Sequence, residues 1–366
     1  MEQFYELENV TLLPTTTNSG HLGDKVNFNV IDACDQTGIP ESLPIFTSPM
    51  EAIIGKENAK VFSDAGIKPV LPLTCELSVR LEYCKWIFCA FSMKEVRDNF
   101  LRRDMRSVPS QFHICIDAGN GHDTGLLNLG HELRKNYGNQ VIIMGGNVGC
   151  PEIYTDYARA GFDYMRVGMA SGSLVDPYEY GFHLPMASLL DKIKLYRRTA
   201  AIGLPKTVKI IADGGINRPS DIIKALALGA DYVMIGHEFA RVIEAYGPIY
   251  KSSKTASGDY NLDEIDPSTV QGLPGHRAKM DGLKRQYHGN TSLEMRVLAG
   301  GYKSTDDYIK TAPKFRVKDT SWKWVDIDSN LEEWITEFKR CAYYAFMMTG
   351  VTGWEDFKRV ARYGVY

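Results

Sequence analysis

No apolar run in this chain is long enough to cross a bilayer as a helix, and no CxxC pair or HExxH motif offers a zinc site. Neither sign of charge dominates. The 42 Lys and Arg against 45 Asp and Glu leave a net charge of −3, which gives no electrostatic case for nucleic acid or an anionic membrane as partner. Regular cysteine spacing is also missing. Seven cysteines, an odd and scattered set, read as reduced thiols of a cytoplasmic protein and not as a disulfide framework. The segment Met1–Val10 is too acidic to read as a signal peptide. There is no low-complexity tract and no repeat of short period. What remains is a 366-residue chain, 44% hydrophobic, able to bury one large core.

Short runs rich in β-branched residues alternate with helix-like segments, the pattern of βα units around a parallel sheet. Eight strands are predicted: Leu43–Thr47, Lys68–Leu71, Trp86–Ser92, Phe112–Asp117, Gln140–Met144, Tyr164–Val167, Val208–Ala212 and Tyr232–Ile235. Helices are expected at Lys56–Ala65, Lys94–Arg103, Leu126–Asn136, Pro151–Ala160, Met186–Thr199, Pro219–Ala227 and Glu238–Ala245. Eight strands with helical crossovers favour an α/β fold, a (β/α)8 TIM barrel, over an open doubly wound sheet. The whole chain, 1–366, reads as one domain. From Gly247 to Thr320 the alternation stops, and this polar stretch reads as a long flap after the eighth strand. Periodicity returns in a C-terminal helix, Leu331–Met348. Its face of Leu331, Trp334, Ile335, Phe338, Ala342, Tyr343 and Phe346 suits packing on the barrel or on a second subunit.

In such a barrel the chemistry sits where strands end, and phosphate often binds after the seventh and eighth. Glycines fall there: Asp213-Gly214-Gly215 after the seventh and Gly236-His237 after the eighth. Glycine lets backbone approach an anion, and a carboxylate such as Asp213 can accept two ribose hydroxyls. Read alone, Gly214-Gly215 is better taken as a tight turn.

Several segments, in order, are similar to the family of IMP dehydrogenases and GMP reductases. These are Ser48-Pro49-Met50, Asp117–His122 (DAGNGH), Gly145–Val148 (GGNV), Arg166-Val167-Gly168, Ser171-Gly172-Ser173, Asp213–Ile216 (DGGI) and Tyr287–Ser292 (YHGNTS). The resemblance runs from about Leu12 to the C-terminus. It implies that Ser173, Gly214, Gly215, Gly236 and His237 hold the phosphate of a purine nucleoside monophosphate, with Asp213 on the ribose. By the same resemblance Ser48, Met50, Tyr287, Gly289 and Asn290 line the base. Asp117, Asn147, Arg166 and Gly168 would face the nicotinamide of NAD(P)(H). Thr74–Arg80 leaves no room for the regulatory module that many dehydrogenases of the family carry. The resemblance further implies a homotetramer and a loop for a monovalent cation, potassium, although Ala170 and Val175 alter that loop.

The match breaks at the chemistry. The family places a cysteine nucleophile where this chain has Val175, and no cysteine lies between Met169 and Pro185. An aliphatic side chain cannot add to a purine carbon. The Arg-Tyr pair of the dehydrogenase flap is missing between Leu293 and Thr320. The Thr and Glu of the reductase branch fall near Pro177 and at Leu293, and the usual phosphate serine is His237. Asp176, beside the lost position, and His183 are the candidate catalytic groups. Cys150 past the fifth strand and His122 are further candidates at the same end of the barrel. Three readings stay open: a nicotinamide-dependent purine nucleotide oxidoreductase with altered chemistry, a non-catalytic nucleotide-binding or regulatory homologue, and an enzyme of another reaction class on a modified purine nucleotide. The acidic, aromatic loop Asp176–Tyr180 motivates the last.

Overall fold

The computed structural model describes residues 3–15, 22, 25–30, 42–102, 111–169, 181–200, 203–254, 260–266, 280–288 and 322–366. The eight expected strands are present as β2 (Ile45–Thr47), β3 (Val70–Leu71), β4 (Phe88–Phe91), β5 (Phe112–Asp117), β6 (Val141–Val148), β7 (Tyr164–Val167), β8 (Lys209–Asp213) and β9 (Tyr232–Ile235). They form one parallel sheet in the order β2-β9-β8-β7-β6-β5-β4-β3. The sheet closes on itself. Thr47 N donates to Lys68 O and Lys68 N to Ile45 O, both at 3.0 Å, joining β2 to the start of β3. The chain is an α/β TIM barrel.

Four aromatic rings plug the barrel near its N-terminal end. Phe46, Phe88, Tyr164 and Tyr232 meet edge to face with centroids 5.2–5.9 Å apart. Such pairs add about 0.5–1.5 kcal/mol each to the area they bury. Tyr164 and Arg166 share one face of β7 by the two-residue period, so the plug at one end fixes a cation at the other. His113, Cys115 and Asp117 follow the same alternation on β5.

The outer helices are α1 (Ala59–Asp64), α2 (Leu77–Tyr83), α3 (Met93–Val96), α4 (Thr124–Tyr137), α5 (Tyr154–Ala160), α6 (Met186–Ala200), α7 (Pro219–Leu228), α8 (His237–Ala240), α9 (Leu331–Thr349) and α10 (Trp354–Val360). The Asn330 side chain caps α9 by accepting from Glu333 N at 2.8 Å, and the helix packs on α7 and α10. Leu331, Trp334, Phe338, Ala342 and Phe346 are buried, as the periodicity predicts. The chain ends also pair. Strand β1 (Val10–Leu13) runs antiparallel to β14 (Arg362–Val365), outside the barrel.

The polar stretch after β9 contains regular structure that its composition did not suggest. Strands β10 (Ile249–Lys254), β11 (Tyr260–Ile265), β12 (Leu283–His288) and β13 (Trp322–Asp326) form an antiparallel sheet in the order β11-β10-β12-β13. The helix expected over Glu238–Ala245 is shorter, ending at Ala240. The reason is chemical. Carbonyls of Ala240, Val242, Ile243 and Ala245 turn to the buried Arg285 guanidinium instead of to helical N–H groups.

Candidate functional site

At the C-terminal end of the barrel a cation sits between two carboxylates. Arg166, only 5% exposed, donates Nη1 to Asp117 Oδ1 at 2.7 Å and Nε to Asp213 Oδ2 at 2.9 Å. Burial alone would favour the neutral guanidine, but Asp213 and Asp117 outweigh it and hold the pKa well above the usual range. Asn147 completes the group. Its Nδ2 donates to Asp213 Oδ2 at 2.7 Å and to Gly168 O at 3.1 Å. Both partners are pure acceptors, so the amide orientation follows from the network. Among the described residues the hydrogen bonds and ion pairs to the Asp213 carboxylate converge on Oδ2.

Glycine at 168 is required by the packing. Its φ is +130°, and a Cβ there would lie 2.3 Å from Asp213 O. Gly214 and Gly215, at φ of 112° and 71°, turn the chain away from β8 directly after Asp213.

A second group gathers between β2, β9 and β12. A Cβ on Gly236 would meet Tyr287 Oη at 2.6 Å and both Met50 Sδ and Ser48 Oγ at 3.4 Å. Tyr287 donates its hydroxyl to Met50 Sδ at 3.4 Å, and the His237 ring stands edge-on to Tyr287 at 5.7 Å. Ser48, Met50, Gly236, His237 and Tyr287, more than 200 residues apart at the extremes, therefore meet in one place. Arg285 fixes this arrangement. Fully buried on β12, two residues before Tyr287, it donates to five carbonyls between Ala240 and Gly247 at 2.7–3.3 Å. Burial pushes its pKa down to about 9, so it stays charged at neutral pH.

His237 is neutral. Burial, then Lys323 and Arg241, push its pKa down to about 4 from an ordinary 6.5, and among the described residues its buried Nδ1 has no hydrogen-bond partner. Between these values the unfolded chain binds more protons than the folded one. The stability is therefore fully present above pH 6.5 and falls as pH drops towards 4. Substituting His237→Asn should remove on the order of 2 kcal/mol from that acid-side decline in urea unfolding. An unchanged slope would show that other groups cause it.

The sequence-predicted residues divide clearly. Asp117, Asn147, Arg166, Gly168 and Asp213–Gly215 form one cluster, and Ser48, Met50, Gly236, His237 and Tyr287 another. His183 is placed elsewhere in role. Its Nε2 is 2.6 Å from Glu6 Oε1 and its Nδ1 is 3.3 Å from Met169 O, while Glu6 Oε2 accepts the first N–H of α6 from Met186 at 3.0 Å. It ties the N-terminal segment to the base of the β7 loop. Ser173, Val175, Asp176, Gly289 and Asn290 lie outside the described residues, as does the loop read for a monovalent cation. Among the described residues no group of three His, Cys, Asp or Glu could hold a metal ion. His122 and Cys150 stand side by side on neighbouring loops at the same end, 3.8 Å apart. The sequence reading passed over Arg285. The signal was present, since Leu283, Arg285 and Tyr287 share one face of a strand by alternation.

Comparison with known proteins agrees with this geometry. Residues 96–261 match the model of the IMP dehydrogenase / GMP reductase domain. The chain is 26% identical over 317 residues to the GMP reductase of Bacillus subtilis, covering 81% of this chain and 89% of that enzyme. It is 30% identical over 218 residues to the GMP reductase of Buchnera aphidicola, spanning 58% of this chain and 60% of the relative. The inosine-5'-monophosphate dehydrogenase of Helicobacter pylori is 29% identical over 207 residues, 53% of this chain and 41% of the relative.

Proposed function

Because the chain belongs to the IMP dehydrogenase / GMP reductase family, we propose that it is an oxidoreductase-like protein that binds a purine nucleoside monophosphate at the C-terminal mouth of its barrel. The observation that carries this is Asp213. Arg166 and Asn147 orient it through one oxygen, which leaves the other for a ribose diol beside Gly214 and Gly215. Ser48, Met50, Tyr287, Gly289 and Asn290 take the base in this reading. Gly236, His237 and Ser173 take the phosphate.

The residues present also suit a nicotinamide cofactor. Asn147 spends both amide hydrogens on Gly168 O and Asp213, so its Oδ1 is left to accept from a carboxamide. Gly119 adjoins open space, with nothing within 4 Å of where a Cβ would stand. When bound, NAD(P)(H) would supply hydride exchange with the base. The protein's own part is to hold the two ligands in register: Arg166 aligns Asp117 with Asp213, and Asn147 bridges the two sides. Val175 in the place of the family's cysteine makes the chemistry altered, with Asp176 a candidate group beside it. A homotetramer in the cytoplasm belongs to the same proposal.

Isothermal titration with GMP and IMP, each with and without NADP(H), tests the reading. Binding is expected, and Asp213→Asn should weaken it by roughly 10–100-fold, the loss of one or two charge-assisted hydrogen bonds. If neither nucleotide binds the unaltered protein, the reading fails. The loss of the cysteine favours one second reading, a non-catalytic nucleotide-binding homologue. Binding without any change in nicotinamide absorbance would select it.

A further inference from the structure

Outside the barrel, and sharing no residue with either cluster at its mouth, an apolar groove of about 590 Å³ lies between five elements. These are the paired chain ends β1 and β14 and the helices α7, α9 and α10. Helix α9 works on two faces. Leu331, Trp334, Phe338, Ala342 and Phe346 are buried in the core, whereas Arg340, Tyr344 and Met348 recur every fourth residue and line the groove. Leu12 of β1, Ile223 of α7 and Phe357 of α10 add to its apolar surface. Tyr344 is 58% exposed, so that surface is open to a ligand.

Hydrogen bonds fix the walls. Thr15 N donates to Met348 O and Thr15 Oγ1 to Thr349 O, both at 3.1 Å, which pins the chain leaving β1 to the end of α9. Lys224 Nζ donates to Leu7 O at 2.9 Å and ties α7 to the turn before β1. The charge at this groove has one sign. Lys224, Arg340 and Arg362 line it, and its described lining residues include no Asp or Glu. Arg340 is already paired with Glu337 at 2.6 Å. Lys224 spends one of its three N–H groups on Leu7 O, and among the described residues no carboxylate pairs with Lys224 or Arg362. Burial holds the Lys224 pKa below its ordinary value, with Asp221 acting in the opposite sense, so an anion beside it would offset a desolvation cost.

Shape and charge together narrow the occupant. From Arg340 to Met348 the lining follows α9 for about 12 Å of helix axis, an elongated form that suits an alkyl chain. The volume falls within the range of single-ligand sites, roughly 300–1,000 Å³, and a recess between five elements does not admit a bilayer surface. An isologous contact with a second copy would set these cations against the same cations of the partner. We propose that this groove is a binding site for a free fatty acid, with its alkyl chain along α9 and its carboxylate drawn to the unpaired Lys224 and Arg362. The site is independent of the nucleotide reading.

Dodecanoate, kept below its micelle-forming concentration, is the probe, and dodecanol is the uncharged control of equal chain length. Cys341 lines the groove and reports on it, while the partly exposed Cys75 and Cys150 lie outside it and serve as references. Iodoacetamide labelling of the full chain, read by peptide mass spectrometry, should slow at Cys341 at least about fivefold with saturating dodecanoate and stay unchanged at the references. Calorimetry should show dodecanol binding at least about tenfold more weakly. Arg362→Gln and Lys224→Gln should each weaken dodecanoate by about three- to tenfold, and Arg340→Gln by less, because Glu337 already holds that guanidinium. Lys224→Gln also loses the bond to Leu7 O, whereas Arg362 is exposed, so its variant separates charge from fold. No slowing at Cys341, equal slowing at all three thiols, or equal affinity for dodecanol would overturn the proposal. So would Cys341 labelling that slows with protein concentration alone, which would put a second copy on this face.

Discussion

Arg166→Met should destabilise the protein by about 3–5 kcal/mol and abolish nucleotide binding. Arg166 is the sole positive charge in contact with both Asp117 and Asp213 among the described residues, and all three side chains are at most 13% exposed. Methionine fills much of the same volume, so the effect isolates charge from packing. It removes the cation that joins the two carboxylates, whose mutual repulsion is then no longer offset by that guanidinium. Urea unfolding measures the loss. Asp117→Asn in the Arg166→Met background should restore part of the loss, since it removes one of the uncompensated charges. An Arg166→Met protein of unchanged stability would mean that the ion group is not held together as described.

The cluster that Arg166 organises could be read from the sequence only in part. Asp117 and Asp213 each end a strand and Asn147 stands one residue before the end of β6, and strands such as Phe112–Asp117, Tyr164–Val167 and Tyr232–Ile235 were legible to the residue. Each is a short run made mainly of apolar or β-branched residues, which is how a strand buried on both faces appears. Helix α2 was not legible. Its inward position is filled by Arg80, 3% exposed, which bonds Glu95, Cys75 O and Ala90 O. A helix that buries a charge where a leucine would be expected shows no apolar period. The pairing of β1 with β14 was hidden for another reason: it joins the two ends of the chain, Val10–Leu13 with Arg362–Val365, and no local pattern encodes that. The sheet of β10–β13 defeats pattern reading because strands such as Ile249–Lys254 (IYKSSK) carry too few apolar residues to alternate. The candidate site shows the same limit. Residue types at strand ends suggested which groups belong there, but the pairing of His122 with Cys150 depends on a loop geometry that only the fold supplies.

Arg285→Lys should cost about 2–4 kcal/mol and loosen the nucleotide site at the same time, although it conserves charge. The guanidinium uses five N–H contacts on Gly247, Ala240, Val242, Ile243 and Ala245 carbonyls, all buried with it. An ammonium has three donors from a single point, so at least two carbonyls lose their partners, each at about 1–3 kcal/mol less whatever relaxation recovers. Those carbonyls belong to the chain leaving α8, and α8 begins with His237. Arg285 itself stands two residues before Tyr287, whose hydroxyl reaches Met50 beside Gly236. One side chain thus ties the exit of the eighth barrel strand to the strand that carries Tyr287. Arg285→Met should be worse than Arg285→Lys, because it removes all five donors and adds none. Urea unfolding gives the stability loss, and titration with GMP or IMP at a temperature where each variant is folded gives the affinity. Loss of stability with affinity unchanged would show that Arg285 supports the fold without positioning Tyr287. A parallel loss in both is expected, because Arg285 holds the chain leaving α8 and stands on the strand of Tyr287, whose hydroxyl reaches Met50.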